Sequence, residues 1–298
     1  NEADFNISIA AVKKAITSKT KAIIAVDIAG YPADYDELHQ LVRENQINSL
    51  YNPENSVQQK LNRIAIVADA AHSIGGIYNG ARTGNQADMS SFSFHAVKNL
   101  TTAEGGAVAF NLNEFSSQEL QQKFKVSSLH GQTKDAFSKN QIGAWKYDVV
   151  EAGFKCNMTD LQAAIGLVEL KRYEETLARR KTIFEKYQNA FSKKAWAKVP
   201  LFSSDNKTSS YHLYMLRIKD ISEDKRDTII AKISEKEVAV NVHYLPLAML
   251  TYYRNKGYAI NDYPQTYENY KAEITLPVYY NLTDSQVDTV INAVVESI

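Results

Sequence analysis

Two short apolar runs on either side of an amphipathic stretch constrain the fold of this chain more than any other feature. The first run, KAIIAVDIAG, covers residues 21–30 and predicts a buried strand. The following segment, YDELHQLVREN, has aliphatic residues at helical spacing, at Leu38, Leu41 and Val42. The second run, RIAIVADAAH, predicts another strand that ends on Asp69. This strand–helix–strand order indicates an α/β fold with a mainly parallel sheet and helices on its faces.

Asp69 stands at the predicted carboxyl end of a parallel strand. In open α/β sheets, ligands bind beyond the carboxyl ends of the strands. Asp69 is therefore a candidate site residue from its position alone. The segment QINSLYNPENSVQQKLN, between the predicted helix and this strand, is polar and contains Pro53, which predicts an exposed loop or insertion.

The stretch SSFSFHAVKNLTTAEGGAVAF, residues 90–110, places a lone lysine in an unusual setting. Serines and phenylalanines alternate before it with a period of two, as in a strand. Paired glycines, Gly105 and Gly106, then precede a second strand-like run, and the short connection predicts a hairpin. Lys98 falls on the connecting loop, among small and apolar residues rather than on a charged surface.

The remainder of the chain predicts an α+β arrangement. A long helix is expected to start after Thr159, as an N-cap, and to run through DLQAAIGLVELKRYEETLARRKTIFEKYQNAFSK. Strands are expected at YHLYMLRI and VAVNVHYLP, and helices at about 223–233 and 283–297.

Composition bounds the class of protein. The chain has 298 residues and a formal net charge of +0, so no electrostatic footprint points to nucleic acid or to an anionic membrane. Cys156 is the sole cysteine, which rules out a disulfide within the chain and favours a reducing compartment. The sequence has no apolar run of membrane-spanning length and no signal-peptide pattern, so we expect a soluble, cytoplasmic protein.

Lys98 and Asp69 together suggest a pyridoxal phosphate (PLP) site. A partly desolvated lysine amine has a lowered pKa and can form a Schiff base with a carbonyl cofactor. A carboxylate against the pyridinium nitrogen keeps the ring protonated, and a nearby hydroxyl, Ser93, could donate to the phosphate. Taken singly, a solvated lysine and a strand serine bonded to its neighbour are the commoner situations.

Other chemistries find less support in the sequence. Asp69, His72 and His95 could suggest a metal site, but no cysteine cluster or His-x-x-x-His pair accompanies them. No P-loop or dinucleotide fingerprint is present, and no G-x-S-x-G elbow indicates a hydrolase.

ADAAHSIGGIYNG followed by FSFHAVKNLTTAEGGAV resembles the hallmark region of the DegT/DnrJ/EryC1/StrS aminotransferases, which are PLP enzymes that act mainly on nucleotide-linked keto sugars. The resemblance continues through LHGQTKDAF, AWKYDVVEAGFKCNMTDLQAAIGLVELKR, SSYHLYMLRI, NVHYLPL and LPVYYNLTDSQVDTVI. It implies a type I PLP-transferase large domain of the aspartate aminotransferase type, N-terminally incomplete and covering residues 1–175. A small C-terminal α+β domain is expected over residues 176–298.

The resemblance also assigns roles to individual residues. Lys98 is expected to form the Schiff base and to move the proton, and Asp69 to pair with the ring nitrogen. His72 is expected beside the ring hydroxyl, and Ser93 at the phosphate. Lys155 stands where many members have a residue that reaches the phosphate in the neighbouring subunit's site, which implies a homodimer with shared active sites.

Several positions depart from the family pattern. The family often has Glu, Pro and Gly at three positions that are alanine here, Ala68, Ala96 and Ala103. Leu245 and Ala248 replace a frequent Pro and His, in a region expected to contact the sugar. Family members also begin with further elements, which carry a phosphate-binding turn and an aromatic residue that stacks on the cofactor. On the order of 100 residues of this kind, at about 30 per βαβ unit, are expected to be missing from the chain.

The reaction implied is transfer of an amino group from an amino acid, with glutamate expected, to a nucleotide-linked keto-deoxy sugar. A PLP enzyme acting on another keto sugar or on a cyclitol is an alternative. A PLP dehydratase is a further alternative, but dehydratase relatives replace the Schiff-base lysine with histidine. A non-catalytic regulator that retains the fold is the third.

Overall fold

A computed structural model describes residues 1–134, 142 and 145–298 of the chain. The helices are α1 Ile9–Ala15, α2 Tyr35–Arg43, α3 Asn45–Asn48, α4 Ser56–Leu61, α5 Ser117–Ser128, α6 Asp160–Lys171, α7 Tyr173–Phe191, α8 Glu223–Ser234, α9 Thr251–Arg254, α10 Pro264–Ala272 and α11 Asp284–Ser297. The strands are β1 Ala22–Val26, β2 Ala65–Asp69, β3 Ile77–Tyr78, β4 Ala81–Arg82, β5 Met89–Ser93, β6 Gly106–Phe110, β7 Ala197–Lys198, β8 Lys207–Thr208, β9 Tyr214–Ile218 and β10 Glu273–Leu276.

Within the described ranges, the N-terminal part of the chain contains a four-stranded sheet in the order β1–β2–β5–β6. β1, β2 and β5 are parallel, with Val26 opposite Asp69 and Asp69 opposite Ser91. β6 runs antiparallel to β5 and places Gly106 opposite Ser93. The predicted parallel sheet and hairpin are confirmed, and the carboxyl ends of β1, β2 and β5 meet at one edge.

The sheet is held by alternating apolar residues on β1 and β2 and by the apolar face of α2. Ile66 and Ala68 of β2 are fully buried, and Leu38 of α2 packs in the same cluster. Ile24 of β1 faces the other way and is 65% exposed. The period of two therefore buries one face of the strand, as the sequence pattern indicates.

A second core occupies the C-terminal part. Strands β7, β9 and β10 pair in the order β10–β9–β7, all antiparallel, and β9 is buried along its whole length. Helices α7, α8 and α11 contribute to this core, among others through Phe184, Ile233 and Val294. The expected α+β arrangement is present in this part of the chain.

Three predictions of local structure were wrong. The predicted long helix is two helices, because the backbone leaves helical geometry at Arg172, with φ −102° and ψ 5°. The segment QINSLYNPENSVQQKLN contains the short helices α3 and α4 instead of a continuous loop. VAVNVHYLP forms no strand in the described structure beyond a single bridge between Asn241 and Thr275.

The predicted division at residue 175 stays a prediction, and this residue lies within α7. Residues 135–141 and 143–144 lie outside the described residues, and they include residues 135–137 of the segment LHGQTKDAF and residue 144 of the segment AWKYDVVEAGF. None of the helices described is both long and apolar enough to cross a membrane.

Candidate active site

A cavity of about 540 Å³ opens at the carboxyl edge of the four-stranded sheet. It is lined by the ends of β1 and β2, by the loop after β5, by residues 243–247 and by α10. This volume lies in the range of about 300–1,000 Å³ that is typical of small-molecule sites. The lining residues that carry polar, reactive groups include Asp69, His72, Lys98, His243 and Tyr244.

Asp69 is the last residue of β2 and reaches the cavity because the strand ends there. Val26 of β1 and Ser91 of β5 flank it on the two neighbouring strands. Its Oδ1 accepts a hydrogen bond of 3.2 Å from the backbone N–H of Ala71. A carboxylate fixed in this way can pair with a protonated ring nitrogen.

Lys98 lies half-buried on the loop between β5 and β6. Its backbone N–H donates to the carbonyl of His95 at 2.9 Å. The next residue, Asn99, is buried and donates from Nδ2 to the Ser210 carbonyl at 2.7 Å, which anchors the loop. Burial lowers the pKa of the Lys98 amine, and the charge of Asp69 opposes this. A lowered pKa increases the neutral fraction of the amine, which is the form that reacts with a carbonyl.

His72 presents a neutral imidazole to the cavity. Burial lowers its pKa to about 3, and the positive charge of Lys98 acts in the same direction. Its Nε2 lies 3.3 Å from the Tyr244 hydroxyl, and its ring centroid lies 4.4 Å from that of His212. Its Nδ1 is buried and has no hydrogen-bond partner among the described residues.

Ser93 lies at the end of β5, outside the lining of the cavity. Its Oγ accepts a hydrogen bond of 3.3 Å from the backbone N–H of His95. Gly106 lies opposite it on β6. Its predicted contact with a cofactor phosphate stays a prediction.

Lys155 is exposed and does not line the cavity. Its backbone pairs with Leu129 in an isolated bridge, and its Nζ donates to the Asn157 side chain. The structure therefore brings Asp69, His72 and Lys98 together within one chain and places Lys155 elsewhere on the surface.

Three aromatic residues of the C-terminal part were missed as site residues by sequence reasoning. His243 and Tyr244 line the cavity, and His212 packs on His72 and lies 2.8 Å, Nδ1 to Oδ1, from Asn99. Tyr244 is 172 positions from His72, so spacing along the chain carries no signal of their contact. The segments NVHYLPL and SSYHLYMLRI pointed to these regions only through the resemblance.

The cavity suits PLP. Lys98 would provide an amine for the cofactor's carbonyl, and Asp69 would provide a carboxylate for the ring nitrogen. The buried Nδ1 of His72 is a polar atom without a partner in the described structure, as expected where a ligand supplies one.

Ala103, where the family often has glycine, adopts a left-handed backbone with φ 66° on the Lys98 loop, the conformation that glycine accepts most easily.

The DegT/DnrJ/EryC1/StrS aminotransferase family matches the chain over residues 1–51 and 56–295. The chain belongs to this family. It is a PLP-dependent aminotransferase with a type I PLP-transferase fold, as the sequence predicts.

Individual members of the family resemble the chain over nearly its whole length. Spr1654 from Streptococcus pneumoniae, a candidate sugar aminotransferase, is 40% identical in its apo form, with a TM-score of 0.93 over 100% of this chain and 72% of that chain. Its structure is also known in a PLP form and a pyridoxamine phosphate form.

Two further relatives have names that refer to a pathway. The spore coat polysaccharide biosynthesis protein SpsC of Bacillus subtilis is 33% identical over 99% of this chain and 71% of its own length. PseC of Helicobacter pylori, an aminotransferase involved in the biosynthesis of pseudoaminic acid, is 27% identical with a TM-score of 0.79, over 98% of this chain and 70% of that chain.

Proposed function

We propose that this aminotransferase moves an amino group from an amino acid, with glutamate as the donor, onto a nucleotide-linked keto-deoxy sugar. The observation that carries the proposal is the placement of Lys98, with its lowered pKa, in one cavity with Asp69 and His72. The presence of lysine at position 98 favours amino transfer over dehydration.

Bound PLP would supply the electron sink for breaking the C–H bond of the donor. Lys98 would hold the cofactor and, once released, carry a proton to and from the substrate's α-carbon. Asp69 would keep the ring nitrogen protonated through its negative charge. His72 stays neutral at physiological pH because its pKa is about 3, so it would orient the ring by contact and hydrogen bonding without changing the charge.

The names of SpsC and PseC support a sugar acceptor. SpsC is named for polysaccharide biosynthesis, and PseC for a pathway to pseudoaminic acid. The polar side chains of Gln265 and Thr266 on α10 line the cavity and could bind sugar hydroxyls, whereas the Asn269 side chain is already hydrogen-bonded to Arg217 and to the Asn1 carbonyl.

The assignments of Ser93 and Lys155 to the cofactor phosphate belong to this proposal as well. Ser93 lies five positions before Lys98 on the same hairpin, which would allow it to bind the phosphate of the same site. Lys155 is exposed, as a residue that acts in a partner subunit's site must be before assembly. The homodimer and a cytoplasmic location, consistent with one exposed free cysteine, complete the proposal.

The test is a donor–acceptor screen. The purified full-length protein, loaded with PLP, is incubated with glutamate and either a panel of nucleotide-linked keto sugars or a keto-cyclitol, and the aminated product is detected by mass spectrometry. Lys98→Ala serves as the matched control, since it removes the amine and keeps the chain otherwise intact. Turnover of a keto sugar that Lys98→Ala abolishes would support the proposal. Turnover of a cyclitol alone, or none with any nucleotide sugar, would contradict it.

A further inference from the structure

Glu273 is a fully buried carboxyl that the proposed reaction does not use. It is the first residue of β10, is 0% exposed, and lies opposite Arg217 of β9. Its Oε2 accepts a hydrogen bond of 2.9 Å from the backbone N–H of His243, and its Oε1 is hydrogen-bonded to the hydroxyl of Thr275. Burying a carboxyl is costly, so both oxygens need these partners.

Thr275 connects this carboxyl to the cavity. It lies two positions after Glu273 on β10, so both side chains point to the same face of the strand. Its Oγ1 lies 2.9 Å from His243 Nδ1, and backbone hydrogen bonds of 3.1 and 2.7 Å to Asn241 hold the neighbouring segment against the strand. His243 lines the same cavity as Lys98. An unbroken chain of hydrogen bonds therefore runs from the core to the site.

We propose that Glu273, Thr275 and His243 form a proton relay that delivers a proton to the cavity at Nε2 of His243. Glu273 and Thr275 are positioning residues in this relay, since they act through His243. The inference rests on the proposed function only for the use that the reaction makes of the proton. The relay itself follows from the hydrogen bonds.

The Thr275 hydroxyl has a single hydrogen, and it lies between two atoms that can each accept it, Glu273 Oε1 and His243 Nδ1. This arrangement fixes the count of protons in the relay. When Glu273 is neutral, it donates to Thr275, Thr275 donates to Nδ1, and the imidazole carries its proton on Nε2. When Nε2 gives its proton to a ligand or to water, Nδ1 takes the hydrogen of Thr275. Thr275 then takes the hydrogen of Glu273, and the negative charge remains on Glu273. One proton leaves the protein and no electrons are transferred.

The environment of Glu273 moves the titration of its carboxyl towards neutral and mildly alkaline pH. Burial raises the pKa of Glu273 to about 8, against the opposing effect of its hydrogen bonds and of nearby cations. Burial and the charge of Lys98 lower the pKa of His243 below the usual value for histidine, so its ring is uncharged at neutral and alkaline pH. Other titratable or charged groups that interact with the members of the relay are Arg217, Arg226, His72, His212 and Tyr244.

Three variants separate the relay from packing. In Glu273→Gln, the His243 backbone N–H still needs an oxygen, so the amide nitrogen faces Thr275 and fixes the neutral hydrogen-bond pattern. Thr275→Val removes the hydroxyl that transfers the proton. Thr275→Ser restores the hydroxyl and is its matched control.

The experiment is a ¹⁵N NMR titration of the histidine ring nitrogens in the PLP-loaded full-length protein. The pH runs from about 6 to about 10, which brackets a pKa of about 8. The His243 signals are assigned by their loss in His243→Gln. We expect wild type and Thr275→Ser to change from the Nε2–H to the Nδ1–H tautomer with a midpoint at about pH 8. Glu273→Gln is expected to keep Nε2–H throughout, and Thr275→Val to lose the transition.

A His243 tautomer that stays constant in wild type, or a transition that persists in Glu273→Gln, would overturn the relay. The measurement does not depend on turnover. A tautomer change in a protein that aminates no sugar would leave the relay standing and contradict the proposed function. Turnover of a nucleotide-linked keto sugar without a tautomer change would support the proposed function and overturn the relay.

Discussion

Lys98 and His72 are titratable residues that line the cavity with limited access to water, and burial lowers the pKa of both for this reason. The lowered pKa gives each side chain a protonation behaviour that the same side chain would not have in water. The amine of Lys98 becomes easier to deprotonate, and the imidazole of His72 remains uncharged. Asp69 provides the compensating negative charge in the same cavity.

Asp69→Asn is expected to leave PLP bound through Lys98 and to lower kcat by about 10²-fold or more, the scale for loss of one preorganised electrostatic partner. It should also lower the pKa of Lys98 further, because the Asp69 charge raises that pKa. Steady-state kinetics and the pH dependence of cofactor attachment measure the two effects. A variant within a few-fold of wild-type kcat would show that Asp69 has another role.

The burial of Glu273 predicts a pH-dependent stability. The pKa of an exposed glutamate carboxyl is 4.5, and burial raises the pKa of Glu273 to about 8 in the folded protein. The folded state therefore retains a proton that the unfolded chain loses, and stability falls as pH rises between these values. Since glutamine does not titrate, the Tm of Glu273→Gln relative to wild type should increase from about pH 5 to about pH 8. A Tm difference that is constant over this range would contradict the raised pKa.

At the scale of elements, the sequence predicted β1, β2, the β5–β6 hairpin, α2, α8 and α11, because each has a strong local period or cap. Thr159 caps α6 as expected, through a capping box with Gln162. The break at Arg172 was missed because no glycine or proline marks it. VAVNVHYLP has strand-like composition but pairs only through Asn241 with Thr275, since tertiary contacts decide pairing.

An ion pair fastens β2 to the segment just before β5. Arg63 contacts both carboxylate oxygens of Asp88 at 2.6 and 2.7 Å, and Asp88 also accepts the Ile66 backbone N–H at 2.8 Å. Because Asp88 is 1% exposed, Arg63→Ala would leave a buried charge unpaired and should lower the free energy of unfolding by about 3 kcal/mol or more. Lys13→Ala, which removes the exposed Lys13–Glu44 pair, is the control and should change it by about 0–1 kcal/mol. Urea unfolding measures both, and equal effects would contradict this account.

At the scale of the whole molecule, the cavity is bounded by both parts of the chain. Asp69, His72 and Lys98 lie within about 30 positions of one another on one sheet edge, so a strand-by-strand interpretation of the sequence could associate them. His243 lines the cavity, and Glu273 is connected to it, only through the packing of the C-terminal part. No local pattern in the sequence indicates that contact.

The proposed homodimer predicts complementation between two inactive variants. Lys98→Ala lacks the reactive amine, and Lys155→Ala lacks the proposed phosphate contact in the partner subunit's site. Subunit exchange would form heterodimers in which one site carries both lesions and the other carries none. Activity should then rise above that of either parent, towards half of wild type per heterodimer. Absence of recovery after demonstrated exchange, from two inactive parents, would exclude Lys155 from acting across the interface.

The assignment of Lys98 as the residue that holds PLP is the central claim, and peptide mapping tests it most directly. The PLP-loaded protein is reduced with borohydride, digested and analysed by tandem mass spectrometry, with Lys98→Ala as the matched control. We predict one phosphopyridoxyl adduct, on Lys98, together with visible absorbance before reduction that Lys98→Ala lacks. An adduct on a different lysine, or unchanged labelling and absorbance in Lys98→Ala, would contradict the account.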